Sequence, residues 1–294
     1  MKVTRALPPF LPLCQWLLPT RLAGLSVTLL KATALEIAIL AGHLLLYPSG
    51  IAQERHASAA PDIPDALATP QLPTRSDPPV VLLHGFIDNR SVFVLLRRSL
   101  AQHGRHQVMS LNYSPLTCDI RTAAELLGRH IEEICARTGS EQVDIVGHSL
   151  GGLIARYYAQ RLGGDLRVRT LVTLGTPHAG TRVAPLANAH PIVRQMRPGS
   201  EVIQELALPA PGCRTQFVSF WSDLDHVMDP LEAACIDHPD LLAHNVRVSG
   251  IGHLALPVHP AVATGIRQAL DTAREPVVDV GAGTGAHTGD ATVA

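Results

Sequence analysis

A serine set among glycines is the residue of this sequence best suited to chemistry. Residues 147–152 are Gly-His-Ser-Leu-Gly-Gly, and the G-x-S-x-G pattern is typical of a serine that attacks an acyl carbon. A strand-like apolar run precedes it, and a helical pattern follows it. A strand, a sharp turn and a helix would lift the hydroxyl clear of a sheet and point helix N–H groups at developing negative charge. We therefore predict Ser149 as a nucleophile; the alternative is a glycine-rich turn without chemistry.

Such a serine needs a base, and the base needs a carboxylate that fixes its tautomer. When the nucleophile lies on a strand–turn–helix elbow, the acid and then the histidine follow it in the chain, each after a strand. Asp225 follows the strand-like run 216–221, and His253 follows the run 246–249 in a loop bracketed by two glycines. We predict Asp225 as the acid and His253 as the base.

Other residues of the same types keep both assignments open. Asp223 and Asp229 share the loop of Asp225. Four further histidines are weaker candidates because none has the glycine-bracketed placement, and they are His178, His226, His244 and His259.

The tetrahedral intermediate of acyl transfer also needs two N–H donors for its oxyanion. We predict one at the backbone of Leu150, directly after the serine, and the other at the backbone of Phe86. Phe86 closes the His-Gly-Phe segment that follows the first predicted strand, Val80–Leu83. An ordinary strand-ending turn is the alternative interpretation of that segment.

Strand and helix patterns alternate between residues 77 and 274, which predicts an α/β catalytic domain. The strand-like runs are 80–83, 108–111, 143–146, 168–174, 216–221 and 246–249, and the helical runs are 92–103, 122–137, 150–162 and 261–273. Because helices cross over between parallel strands, we expect a mostly parallel central sheet of about six strands flanked by helices.

A proline-rich stretch after Gly180 predicts a short cap over the site. Its apolar members could line an acyl pocket, and they are Val183, Leu186, Ile192, Val193 and Met196. Ordinary packing of a connecting segment explains them equally well, because apolar spacing does not distinguish a pocket from a core.

The N-terminal 50 residues contain the longest apolar stretch, residues 22–47, interrupted by Lys31, Glu36 and His43. We predict a membrane anchor or an export signal, with the catalytic domain membrane-associated or secreted on the outer side, since the basic residues precede the stretch. An amphipathic helix packed on the domain is the alternative. Residues 51–76 form an Ala- and Pro-rich linker, and the tail 275–294 is predicted to be disordered.

Bulk composition excludes several classes of partner. The formal net charge is −1, so no basic field indicates nucleic acid. No His/Cys cluster suggests a metal. Among the five cysteines, Cys213 and Cys235 lie in loop-rich sequence on either side of a strand, where a disulfide is physically reasonable.

Residues 79 to 273 resemble the small bacterial α/β-hydrolase lipases and esterases, a group related to the Streptomyces EstA type and to Bacillus lipase A. The matching motifs are the segments 80–86, 146–152, 174–181, 222–225 and 250–253. The resemblance implies the α/β-hydrolase fold, triad roles for Ser149, Asp225 and His253, and action on fatty-acyl esters without an organic cofactor. It predicts a triacylglycerol lipase-like carboxylic ester hydrolase. An acyltransferase using the same triad and a catalytically inactive binding module are the alternatives.

Overall fold

The computed structural model describes residues 30–42, 77–86, 90–111, 119–183, 190–272 and 291–293. Within these ranges the strands are β1 (Val80–Leu83), β2 (Val108–Leu111), β3 (Val143–His148), β4 (Val168–Leu174), β5 (Gln216–Ser222), β6 (Leu242–Val248) and β7 (Ala291–Val293).

The strands form one sheet in the order β2-β1-β3-β4-β5-β6-β7, and every neighbouring pair is parallel. The first six strands are the predicted ones, so the predicted α/β architecture is confirmed. Ala291–Val293, in the tail that is predicted to be disordered, forms a short strand beside β6, and the rest of that tail lies outside the described residues. An open sheet edge offers unpaired N–H and C=O groups, which an extended segment rich in β-branched residues can satisfy.

The helices are α1 (residues 30–42), α2 (Val94–Gln102), α3 (Ile120–Thr138), α4 (Leu150–Arg161), α5 (Pro191–Gln195), α6 (Glu201–Ala207) and α7 (Pro260–Thr272). Helix α3 begins where the Asp119 carboxylate accepts the Thr122 N–H at 2.8 Å, and it ends at Gly139, whose φ of 68° suits glycine. Ser200 caps α6 in the same way, because its side chain accepts the Ile203 N–H.

Two hydrophobic cores cover the two faces of the sheet. The side chains of β1 alternate between the two cores. Val81 and Leu83 pack with α3 and α4, whereas Val80 and Leu82 pack with α2 and α7. Parallel strands that carry helices on both faces need apolar residues on both. This explains the continuous apolar runs in the sequence.

A buried ion cluster fastens β3 to its neighbours. Asp144 is fully buried, and Arg169 donates to its Oδ1 at 2.9 Å while Arg105 donates to its Oδ2 at 3.3 Å. Arg105 also donates to the Leu270 carbonyl near the end of α7. The cluster lies at the end of β3 remote from Ser149, so it stabilises the scaffold.

Helix α1 lies against the α/β domain through one face. Ala32 is buried, and Ile39 packs against the core that contains α2 and α7. Its other face exposes large apolar side chains at Leu30, Leu35, Ile37 and Leu40. Across the part of the chain that the structure describes, no helix combines the length and apolar character needed to cross a membrane. The anchor, the export signal and the outer location stay predictions.

The predicted Cys213–Cys235 disulfide is absent from the described structure, where neither residue forms a disulfide. The two residues pack in different hydrophobic environments. Cys213 contacts the core that contains α3 and α4, whereas Cys235 packs with Trp221 and Ala234. Sequence neighbourhood alone suggested the bridge, and the fold separates the two cysteines.

Candidate active site

Ser149 lies at the turn between β3 and α4. Its φ of 53° and ψ of −120° place it in a backbone region that residues with a Cβ rarely adopt. Its N–H donates to the Leu174 carbonyl at 2.9 Å, and its own carbonyl accepts the Thr176 hydroxyl at 2.9 Å. These bonds hold the strained turn. Ser149 remains partly exposed while His148 and Leu150 on either side are buried, which suits a nucleophile.

Two glycines of the motif occupy positions where no side chain fits. A Cβ at Gly147 would lie 2.5 Å from the Cα of Gly152, and a Cβ at Gly151 would overlap the Leu83 carbonyl oxygen at the end of β1. The glycines therefore let the start of α4 pack directly on β3 and on the loop that follows β1.

His253 and Asp225 form a buried pair. His253 Nδ1 lies 2.8 Å from Asp225 Oδ2, and the two side chains are 7% and 0% exposed. Asp225 Oδ1 accepts the Val227 N–H at 2.9 Å, which fixes the carboxylate. Because Nδ1–H donates to the carboxylate, Nε2 of the imidazole carries the basic lone pair.

The two competing aspartates have other partners. Asp223 accepts the Gly250 N–H at 3.1 Å and the Arg247 guanidinium at 3.0 Å. Burial raises the pKa of Asp223, but these hydrogen bonds outweigh it and hold the pKa below its ordinary value. Asp229 is half-exposed, 3.9 Å from Arg182. The structure thus brings Asp225 to the histidine and uses Asp223 to shape the loop before it.

The loop of His253 lies against the serine turn. The rings of His148 and His253 are 4.8 Å apart between centroids, and His148 Nε2 lies 3.2 Å from the His253 carbonyl oxygen. A Cβ at Gly175 would lie 2.9 Å from Asp225 Oδ2 and 3.0 Å from His253 Nδ1. Since Gly175 directly follows β4, whose last carbonyl binds the Ser149 N–H, the three predicted residues share one site.

The four weaker histidine candidates have other surroundings. His226 and His244 are exposed, and His259 is half-buried at the start of α7. His178 is buried, and its Nε2 lies 2.9 Å from the Thr173 hydroxyl.

The two predicted oxyanion donors lie on backbone segments that meet at the elbow. Leu150 is the first residue of α4, where N–H groups lack partners within the helix. The segment that contains Phe86 approaches α4 so closely that a Cβ at Gly151 would overlap the carbonyls of Leu83 and His84. The Phe86 ring packs edge-on against His190 at 5.5 Å.

The predicted acyl-binding residues divide into two groups. Val183 is 42% exposed, whereas Ile192 and Met196 are buried in the core that contains α3, α4 and Leu150. Leu186 lies outside the described residues. Phe86 packs against the same core, so this apolar cluster extends to the segment 84–86 that follows β1.

A buried network behind the site escaped the sequence interpretation. Arg156 of α4 is buried, and it donates to the His178 carbonyl at 3.3 Å and to the Leu206 carbonyl at 3.2 Å. Burial, with a smaller effect of Arg161, lowers the pKa of Arg156 to about 10. The guanidinium ties the loop after β4 to α6. No periodicity marks it, because α4 is buried along most of its circumference.

Comparisons with known proteins agree with the fold of this chain. A family model described as the α/β hydrolase fold matches residues 78–207. A triacylglycerol lipase of Pseudarthrobacter phenanthrenivorans is 32% identical over 114 residues, which cover 36% of this chain and 35% of that protein. A triacylglycerol lipase of Vibrio cholerae is 31% identical over 140 residues, covering 46% and 42%. The chain thus spans well under half the length of these relatives.

Solved structures give the same fold at low identity. The mature lipase BlEst2 of Bacillus licheniformis superposes with a TM-score of 0.56 at 16% identity, over 68% of this chain and 94% of that one. Lipase B of Aspergillus fumigatus gives 0.54 at 17% identity, over 68% and 57%. The chain has the α/β-hydrolase fold that the sequence predicts.

Proposed function

We propose that this protein is a serine carboxylic ester hydrolase that cleaves fatty-acyl esters through an acyl-enzyme on Ser149. The observation that carries the proposal is the buried Asp225–His253 pair, 2.8 Å between Oδ2 and Nδ1, packed beside a serine with positive φ. Strain of this kind costs about 1–3 kcal/mol and persists where the surroundings enforce it, most often at active sites.

The reaction follows from the placement of each group. His253 Nε2 takes the hydroxyl proton as Ser149 attacks the ester carbonyl, and the resulting imidazolium is stabilised by the Asp225 carboxylate. The same proton then passes to the departing alcohol. Water, deprotonated by His253, attacks the acyl-enzyme, and the proton on His253 passes to the Ser149 oxygen as the carboxylic acid leaves.

The N–H groups of Leu150 and Phe86 would bind the oxyanion of both tetrahedral intermediates. Their value lies in being fixed before the reaction, because donors held by a folded backbone need no reorganisation as charge develops. Phe86 packs against the core and against His190, which restrains the second donor.

A fatty-acyl substrate is supported by the relatives named triacylglycerol lipase and by the apolar cluster that reaches Phe86. We propose that the acyl chain lies along the cap beside Val183, Leu186, Ile192 and Met196. Membrane-associated or secreted location, on the outer side, is part of the same proposal.

Ser149→Ala tests the proposal. We expect hydrolysis of p-nitrophenyl butyrate to fall at least about a thousandfold while the thermal unfolding midpoint stays within a few degrees, since a nucleophile is removed from an intact fold. Full retained activity contradicts the assignment. Product analysis with glycerol present distinguishes acyl transfer, which gives acylglycerol, from hydrolysis, which gives free acid.

A further inference from the structure

Helix α1 contacts the active site through one acidic residue. Glu36 Oε2 accepts the Leu254 N–H and Glu36 Oε1 accepts the Ala255 N–H, each at 2.9 Å. These are the two N–H groups that directly follow His253. The carboxylate therefore spans the backbone on the C-terminal side of the proposed base.

The chain on the other side of the histidine is shaped to admit the same carboxylate. A Cβ at Gly252 would lie 2.5 Å from the Glu36 carboxyl carbon and 2.7 Å from its Cγ. Since Gly252 has no positive φ in the structure, backbone conformation does not require a glycine there. The space taken by Glu36 does.

Three contacts thus hold His253, each on a different atom group. Asp225 holds the ring at Nδ1, the His148 ring contacts the carbonyl oxygen, and Glu36 holds the two N–H groups that follow. Hydrogen bonds to an ionised carboxylate are shorter and roughly twice as strong as neutral ones. The Glu36 contact therefore fixes the two peptide planes that follow His253, and these planes determine the position of the imidazole.

We propose that Glu36 is a positioning residue for His253, and that α1 is in this way a component of the active site. The inference rests on the proposed function, because the effect is on proton transfer between Ser149 and His253. Orientation matters at this scale, since a displacement of about 1 Å from a remote mutation can lower the rate about a hundredfold.

Covalent labelling with a fluorophosphonate separates positioning from folding. The serine oxygen forms a bond to phosphorus, fluoride leaves, and His253 accepts the serine proton. The end-point of labelling counts folded sites, and the second-order rate per site reports activation of the serine. The full-length chain is used throughout.

For Glu36→Gln we expect the labelling rate per site and kcat for p-nitrophenyl butyrate to fall about tenfold or more. The amide keeps one acceptor but turns an NH2 group toward the second N–H. We expect KM within about twofold of the wild type and a full labelling end-point. Lys31→Gln, which removes a charge from an exposed position of the same helix, is the matched control and should leave all three quantities unchanged.

An unchanged rate per site in Glu36→Gln overturns the inference, as does a loss confined to the end-point, which is the mark of a merely structural role. If Glu36→Gln fails to fold, Gly252→Ala decides, because its Cβ displaces the intact carboxylate. The inference is supported if Gly252→Ala slows the labelling rate per site in the otherwise wild-type chain but slows it no further in Glu36→Ala. An unchanged labelling rate in Gly252→Ala refutes the inference. A wild-type chain that is not labelled refutes the proposed function as well, whereas a labelled wild type with an equally fast variant refutes the inference alone.

Discussion

Asp225→Asn is the substitution that tests the geometry of the candidate site most directly. In the native arrangement the His253 Nδ1–H donates to Oδ2, and the Val227 N–H donates to Oδ1. An asparagine whose oxygen stays on the Val227 N–H must turn its NH2 group toward Nδ1. The imidazole then carries its proton on Nε2, so that its lone pair faces away from Ser149.

The size of the effect follows from the contact. The imidazolium formed during attack gains an ion pair with Asp225, and charges about 4 Å apart at an effective dielectric constant of about 20 interact by about 4 kcal/mol. At about 1.4 kcal/mol per factor of ten, this loss is about a thousandfold. Adding the misplaced tautomer, we expect kcat/KM to fall about 10³- to 10⁴-fold.

The assay is ester hydrolysis by Asp225→Asn beside two matched controls, Asp223→Asn and Asp229→Asn. Asp223 binds Gly250 and Arg247 rather than the base, so its variant should lower the unfolding midpoint and reduce kcat/KM less than about tenfold. Asp229 is half-exposed, and its variant should be close to the wild type. A loss of three orders of magnitude in Asp223→Asn, with less than tenfold in Asp225→Asn, would falsify the assignment of the acid.

Two further predictions concern stability. Burial, with Arg156 nearby, holds the pKa of His178 well below its ordinary 6.5, so the folded state keeps this ring neutral while the unfolded chain takes up a proton as pH falls below about 6.5. As the pH falls from 7 to 5, we expect the free energy of unfolding to fall more steeply in the wild type than in His178→Gln, by up to about 1.4 kcal/mol per pH unit. Urea titration measures both slopes, and equal slopes contradict the prediction. Asp144→Asn leaves Arg105 and Arg169 without their buried carboxylate and should cost about 3–5 kcal/mol in the same titration, whereas a change below about 1 kcal/mol shows that the cluster is dispensable.

The strands show which features a sequence encodes locally. Strand β4 is apolar on both faces, and its predicted bounds, 168–174, are those of the structure. Strand β6 begins at Leu242, four residues before the predicted run. The prediction missed these residues because 242–244 are exposed and carry no apolar alternation. Their backbone still pairs with β5. Hydrogen bonding of the main chain extends a strand beyond the residues whose side chains are buried.

The same distinction separates the site residues. That Ser149, Asp225 and His253 lie close together was predictable because each follows a strand, and the carboxyl ends of parallel strands share one edge of the sheet. The choice of Asp225 over Asp223 was not, since both lie in one loop and only the tertiary contacts with His253 and Arg247 distinguish them. The prediction of the Cys213–Cys235 disulfide was wrong because it rested on the position of both cysteines in loop-rich sequence, which does not fix the distance between them.

The apolar N-terminal segment shows what hydropathy alone does and does not encode about a helix. It measures how many apolar residues a run contains, and the large exposed side chains of α1 make the run resemble a membrane segment. An acidic residue within such a run is costly in lipid, where its carboxylate lacks partners. Here Glu36 meets two N–H groups located 218 and 219 residues later in the chain. In the hydropathy pattern Glu36 counts only as a charged interruption. Its hydrogen-bond partners are distant in the sequence and become its neighbours only in the fold. An acidic residue that interrupts an apolar helix near a catalytic domain therefore warrants a search for unpaired N–H groups on that domain before the helix is assigned to a membrane.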